Sequence, residues 1–255
     1  MNIVSFDGWT LPTALAEYRF ENASVAGATP ILGAAGFWDS QGDKTVLRPR
    51  PVRADFLITG ATWAALDSAV DAARAALLGG RGLLKVAVGD SLTTADRRAL
   101  ARCTKFETPY GYEDYLQVKC SVEFEILQGA WDAESASSVS RSGTAFSVST
   151  GGNAPVSRTL VITLNGALSA SVTLTNTTTG EALTYDALTN TLGAGDSVEI
   201  DCGAMTVREN GATNRWDNLT LGNTQAGFMS LAAGANTFTA SPAVSVDFDW
   251  RDAWF

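Results

Sequence analysis

Hydrophobic and polar residues alternate along most of this chain with a period of two, the pattern of strands with one buried face. The clearest stretch runs from Leu116 to Leu127. Leu116, Val118, Cys120, Val122, Phe124 and Ile126 fall on one side; Gln117, Lys119, Ser121, Glu123 and Glu125 fall on the other. At about 3.3 Å per residue such a strand spans roughly 40 Å, long for an ordinary domain. Val52, Ala54, Phe56 and Ile58 alternate in the same way with Arg53, Asp55 and Leu57. The period then changes. Thr62 is a candidate N-cap, Trp63, Leu66, Val70, Ala73 and Leu77 recur at helical spacing, and Gly79-Gly80 follows. These residues predict a helix to about Leu78 with that stripe in the core. Strands are expected again over Leu83–Val88 and Ala99–Phe106.

The texture changes after Trp131. Residues 132–153 are rich in Ser and Gly and read as a linker, with a strand expected around Phe146–Val148. Beyond Pro155 short apolar runs and turn residues recur at roughly 8–12-residue spacing, the sign of a β-sandwich. Leu160-Ile162-Leu164 leads to Asn165-Gly166, and Val172-Leu174 to Thr179-Gly180. Val198-Ile200, Met205-Val207 and Asn210-Gly211 follow, and Val244-Val246-Phe248-Trp250 closes the series. The expected fold class is therefore mainly β. A first β-sheet or barrel domain with one helix (1–131) is followed by the linker and an antiparallel sandwich of jelly-roll type (154–255).

Composition narrows the chemistry. Among 255 residues there is no histidine, which removes the commonest general base and metal ligand together. The net charge of −9 is uneven: residues 1–131 hold 13 basic and 15 acidic side chains, residues 132–255 hold 5 and 12, and the five are all arginines. An acidic, lysine-free second half is a poor partner for phosphate backbones or anionic membranes. Cys103, Cys120 and Cys202 are far apart and odd in number, so reduced, buried thiols are expected rather than disulfides or zinc. The N-terminus has no secretory pattern and no apolar run reaches the roughly 20 residues of a membrane span. A soluble chain made in a cytoplasm is the expectation.

No catalytic, cofactor-binding or metal-binding set emerges. Glu123/Glu125, Asp247/Asp249 and Glu199/Asp201 are two apart on strands, the spacing a glycosidase pair could use, but each alternates with apolar neighbours as a solvated strand face does. Glu113-Asp114 lies in a loop. Gly79-Gly80-Arg81-Gly82 lacks the Lys-Ser/Thr of a phosphate loop, and Asp196 and Asp201 lack the spaced acidic loop of a calcium site. Two polar loops do carry aromatics: Phe37 and Trp38 in Ala34–Pro51, and Tyr110, Tyr112 and Tyr115 in Pro109–Tyr115. These are candidate interface anchors. Trp216, beside Arg215, Asp217 and Asn218, is a weaker candidate for stacking on a sugar.

The order of these features resembles the distal tail proteins of long-tailed bacteriophages. Phe6-Asp7-Gly8-Trp9-Thr10-Leu11-Pro12 looks like that family's first hairpin. The helix over Thr62–Leu78 and the long strand ending in Gln128-Gly129-Ala130-Trp131 fit its first domain, although many relatives have proline where this chain has Ala130. Gly152-Asn153-Ala154-Pro155, Asn176, Gly180, Tyr185, Gly195-Asp196, Ile200-Asp201, Asn210-Gly211, the Leu231–Asn236 turn and Val246-Asp247-Phe248-Asp249-Trp250 fit its galectin-like second domain. The resemblance implies a non-enzymatic virion protein, assembled in the host cytoplasm, forming a ring of six copies at the tail tip. Its partners would be the tail tube protein above and the hub or tail-associated protein below, with a tail fibre as a further candidate. DNA and the tape-measure protein would pass through the lumen without specific binding. The sugar-binding motif of galectins includes a histidine, so that activity does not carry over. The rival reading is a carbohydrate-binding adhesin that uses the sandwich for recognition; a carboxylate-dependent glycosidase is the third.

Overall fold

The computed structural model describes residues 2–12, 17–20, 25–26, 46–47, 50–88, 94–108, 116–222 and 227–255. The chain divides into two compact units, Met1–Glu134 with Phe255, and Ser135–Trp254. Both are built mainly of antiparallel strands.

The first unit opens with a hairpin, β1 (Asn2–Phe6) and β2 (Trp9–Thr10), in which Phe6 faces Trp9. The two-residue turn between them is Asp7-Gly8, both at positive φ (47° and 83°). That conformation matches the right-handed twist of paired strands, which is why Asp-Gly serves there. Next come β3 (Glu17–Phe20) and a separate two-stranded pair, β4 (Val25–Ala26) with β5 (Val46–Leu47). The remaining elements are β6 (Arg50–Thr59), helix α1 (Trp63–Leu77), β7 (Arg81–Ala87), β8 (Arg97–Glu107), β9 (Gln117–Ile126) and β10 (Trp131–Ala133). The main sheet runs β2-β1-β7-β8-β9-β6-β3, with β10 alongside β8.

This order forces the sheet to curl. Its two outer strands, β2 and β3, are joined by only the chain from Thr10 to Glu17. Seven residue steps reach at most about 25 Å, whereas six strand spacings in a flat sheet would separate those edges by about 29 Å.

The helix forms as the spacing predicts. Thr62 caps it, its hydroxyl accepting from the Ala65 N–H at 3.2 Å, and Leu66, Val70, Ala73 and Leu77 are buried. Trp63 departs from the expected stripe, with 49 % of its surface exposed. At about 100° per residue it sits on the edge of the apolar arc, in the first turn. Gly60 lets the helix start lie close: a Cβ there would come within 2.5 Å of the Leu66 nitrogen. β9 buries Val118, Cys120, Val122, Phe124 and Ile126, whereas Leu116 falls in a turn at φ 53° and is not part of the strand. Phe6 meets Phe124 at 4.9 Å between ring centroids, and Phe56 meets Trp9 at 5.9 Å.

Residues 132–153, expected as a linker with a short strand near Phe146, instead contain the whole of a 13-residue strand, β11 (Ser137–Ser149). Its serines alternate with Val139, Arg141, Phe146 and Val148, so the stretch is a polar-faced strand and not a flexible tether. The sandwich strands follow: β12 (Val161–Asn165), β13 (Val172–Asn176), β14 (Glu181–Tyr185), β15 (Ser197–Asp201), β16 (Thr206–Glu209), β17 (Thr213–Asn214), β18 (Leu219–Leu221) and β19 (Ala235–Trp250). A single 3₁₀ turn, Trp216–Asn218, precedes β18.

β19 joins the two arms of one nine-stranded ladder, β17-β16-β15-β12-β19-β13-β14-β18 with β11 alongside β19. Residues 238–241 pair with β13, and residues 245–249 pair with β12. β11 follows β19 through the bend by a bulge between Gly143 and Ala145. Strands that bend in this way make the corners of a sandwich. Phe238 and Phe248, one on each arm of β19, touch at 4.9 Å, and Phe146 of β11 lies 5.6 and 6.0 Å from them.

One loop in this unit is held by buried polar groups. Asn176 and Asn236 are both 0 % exposed. The Asn176 amide donates to the Ser230 carbonyl (2.9 Å) and to Asn236 Oδ1 (3.2 Å). Asn236 Oδ1 also accepts from the Ala232 N–H, while its amide donates to the carbonyls of Ala232 and Gly234. Each buried amide thus stands in for a missing ladder partner. Asn236→Ala would leave several of these groups unpaired and is expected to cost about 2–4 kcal/mol in chemical denaturation. Ser138→Ala, on the exposed face of β11, should change stability by less than about 0.5 kcal/mol.

Candidate interface sites

The first unit presents a polar sheet face opposite its core. Arg53 and Glu123 are directly opposed on β6 and β9, as are Arg102 and Glu125 on β8 and β9. Their side chains pair at 3.4 and 2.6 Å. Lys85–Glu134 at 2.5 Å and Lys105–Glu107 at 2.8 Å add to the same mosaic. Glu123 and Glu125, the pair whose spacing could suit a glycosidase, are each held by a guanidinium across the strands. Exposed pairs of this kind contribute little stability individually.

The five candidate anchors, Phe37, Trp38, Tyr110, Tyr112 and Tyr115, lie outside the described residues, as do Glu113 and Asp114. Trp216 is described. It occupies the 3₁₀ turn with 45 % of its surface exposed, and its ring leans on Phe228 with centroids 5.3 Å apart. Its backbone N–H donates to Asn214 Oδ1 at 3.0 Å. The neighbours that might have bound sugar hydroxyls are mostly engaged within the unit. Arg215 Nε donates to Glu209 Oε2 at 2.6 Å. The Asn218 amide donates to Thr189 Oγ1 (2.8 Å) and to the Asp186 carbonyl (3.1 Å).

The other acidic candidates are turn staples. Asp201 Oδ1 accepts from the N–H groups of Gly203 and Ala204, and Asp196 accepts from Gly193 N–H and the Asn210 amide. Asp247 accepts from the Asn165 amide at 2.6 Å. Among the described residues no group of three or more Cys, Asp or Glu is placed to hold a metal ion, and no helix is long and apolar enough to cross a membrane. The thiols are free; burial pushes Cys120 up to about 11 and raises Cys202 and Cys103 as well.

Two features escaped the sequence reading. The Glu209–Arg215 pair closes around the Asn210-Gly211 turn, so its only sequence signal is two opposite charges flanking that turn. Leu188, 70 % exposed, stands on a loop tied to the Trp216 turn, a contact between residues nearly thirty apart that no local pattern encodes.

Residues 151–254 match the family model of the siphovirus-type tail component, C-terminal domain (SPP1_Dit). This segment is a domain of the siphovirus-type tail component family. The chain is similar in fold to the crystal structure of the SPP1 Dit protein, described as a paradigm of the hub adsorption apparatus in phages infecting Gram-positive bacteria. That match has a TM-score of 0.69 at 14 % identity and covers 96 % of this chain and 97 % of the other. The phage P2 baseplate in its activated conformation with Ca is more distant, with a TM-score of 0.46 at 10 % identity over 97 % and 96 % of the two chains. No curated protein matches the chain. The resemblance to distal tail proteins seen in the sequence is borne out, as are the mainly β fold and the assignment as a phage tail structural component.

The turn staples should make the second unit acid-sensitive. The Leu188 N–H and the Ser171 hydroxyl hold Asp186 below the usual carboxylate range; the Asn210 amide and the Gly193 N–H do the same for Asp196. Hydrogen bonds from Arg215 and Asn190 lower Glu209. A carboxylate whose folded pKa is depressed stabilises the fold above its unfolded pKa, about 4, and loses that contribution as pH falls through the folded value. Denaturation midpoints should therefore hold steady from neutral pH to about 5 and fall below about 4. In Glu209→Gln the midpoint should start lower and depend less on acid. An unchanged acid slope in that variant would contradict the assignment.

Proposed function

We propose that this tail component is a distal tail protein, a ring that joins the tail tube to the hub and surrounds the DNA channel. The observation that carries the reading is likeness along the whole chain. The fold of both units follows that of SPP1 Dit over 96 % of the residues, and the second unit matches the tail-component domain. In this reading the first unit builds the ring and the second carries other tail-tip proteins. The tube protein, the hub protein and a tail fibre are the candidate partners, and assembly takes place in the host cytoplasm.

The physical chemistry is compatible with that role. A lumen that lets DNA slide should not bind phosphates through unmatched cations, since each neutralised phosphate adds affinity. On the polar face of the first unit, Arg53, Lys85, Arg102 and Lys105 each lie within 3.4 Å of a carboxylate. The chain acts by shape and contact, with no catalytic step assigned to it.

Purified chain at its highest soluble concentration should give six-fold rings with a central hole by electron microscopy. Light scattering on the same sample should give the matching mass, with each subunit interface burying more than about 2,000 Å². A monomer under those conditions, or closed particles without a hole, would overturn the ring.

A further inference from the structure

We propose that the 186–190 loop and the 216–218 turn of the second unit form a docking knob for a partner protein whose matching surface is an apolar pocket rimmed by Lys or Arg. This rests on the distal tail reading, and adds to it the surface used and the chemistry of the protein carried.

The two segments are brought together by the pairing of β14 with β18. Tyr185 faces Leu219, and the pairing continues one step as the Asp186 N–H donates to the Asn218 carbonyl at 2.7 Å. The Asn218 amide then clamps Thr189 at 2.8 Å. The knob therefore projects two large apolar side chains from neighbouring segments, Leu188 at 70 % and Trp216 at 45 % exposure. The backbone that carries Leu188 and the ring of Trp216 are held before any partner arrives. Asp186 Oδ1 accepts from the Leu188 N–H at 2.9 Å, and the Trp216 ring is braced on Phe228. An aromatic anchor that is already ordered costs little conformational entropy on binding, which is the profile of an interface hot spot.

Charge selects the occupant. Residues 135–254 carry ten acidic side chains against five arginines and no lysine. At the knob, Arg215 is spent on Glu209 at 2.6 Å, while Asp217 is exposed beside Trp216 and Asp186 lies on the loop bearing Leu188. An apolar centre inside an anionic rim fits a pocket with a cationic rim and repels an acidic one. The engagement of Arg215 and Asn218 within the unit argues for a protein over a sugar.

The test uses intact virions of a phage encoding this chain. A photo-crosslinking phenylalanine analogue is placed at Trp216, or, as control, at Ser140, which is exposed on β11 and separated from β16 by β15, β12 and β19. Position 216, and not 140, should cross-link a second tail protein at a segment combining apolar residues with Lys or Arg. Trp216→Ala should lower retention of that protein on washed virions by about 30-fold. Asp217→Lys, which touches no core contact, should also weaken retention, and more so at low salt. Cross-linking only to other copies of this chain, cross-linking to cell-wall glycan, or no cross-link at 216 in virions that contain the chain would each defeat the knob alone. Absence of the chain from the virion would defeat the distal tail reading and the knob with it.

Discussion

Both units depend on one constraint, the two-residue alternation along a single long strand. In β9 the inward series from Val118 to Ile126 packs with α1 and with the inward side chains of β6. A slip of one residue would put Glu123 and Glu125 into the core and Phe124 into water, so the register is fixed by burial. β19 plays the same part in the second unit, with a further demand. It keeps Phe238 and Phe248 facing inward from the two arms of its sheet across the bend. At about 25 cal/mol per Å² of apolar surface, such aromatic burial outweighs the exposed ion pairs many times over.

The polar groups serve this geometry. Asn176 and Asn236 complete backbone hydrogen bonding where the sandwich loop has no ladder partner. Asp186, Asp196 and Asp201 cap turns, and Glu209 is clamped by Arg215. The hydrogen bonds to Asp186, Asp196 and Glu209 hold those three below the usual carboxylate range, the opposite of what a general acid needs. On the sheet face of the first unit, Arg53 and Arg102 pair with Glu123 and Glu125 across strands.

Much of the fold was legible because period and cap chemistry are local. Thr62, the helical spacing to Leu77 and the strict alternation of β9 each point to one structure. The misreadings have physical causes. Trp63 has the right spacing, but it lies where the helix begins and its stripe ends. Leu116 continues the alternation but falls in the turn before β9. The serines of β11 resemble a tether because composition hides alternation when the outward residues are small and polar. The sequence marks the Trp216 turn by its aromatic ring, but its surroundings depend on Leu188, Asn218 and Glu209, which only the strand register brings near. The aromatics at 37–38 and 110–115 remain proposals about interfaces.

The central claim is that this chain is a structural part of a phage tail tip. Antibodies raised against residues 135–254 and carrying gold should test it directly on intact virions by electron microscopy. The account predicts label at the distal end of the tail, where tube and hub meet, and none along the tube or on the capsid. Label spread elsewhere, or virions free of the chain while it accumulates in the infected cell, would contradict it.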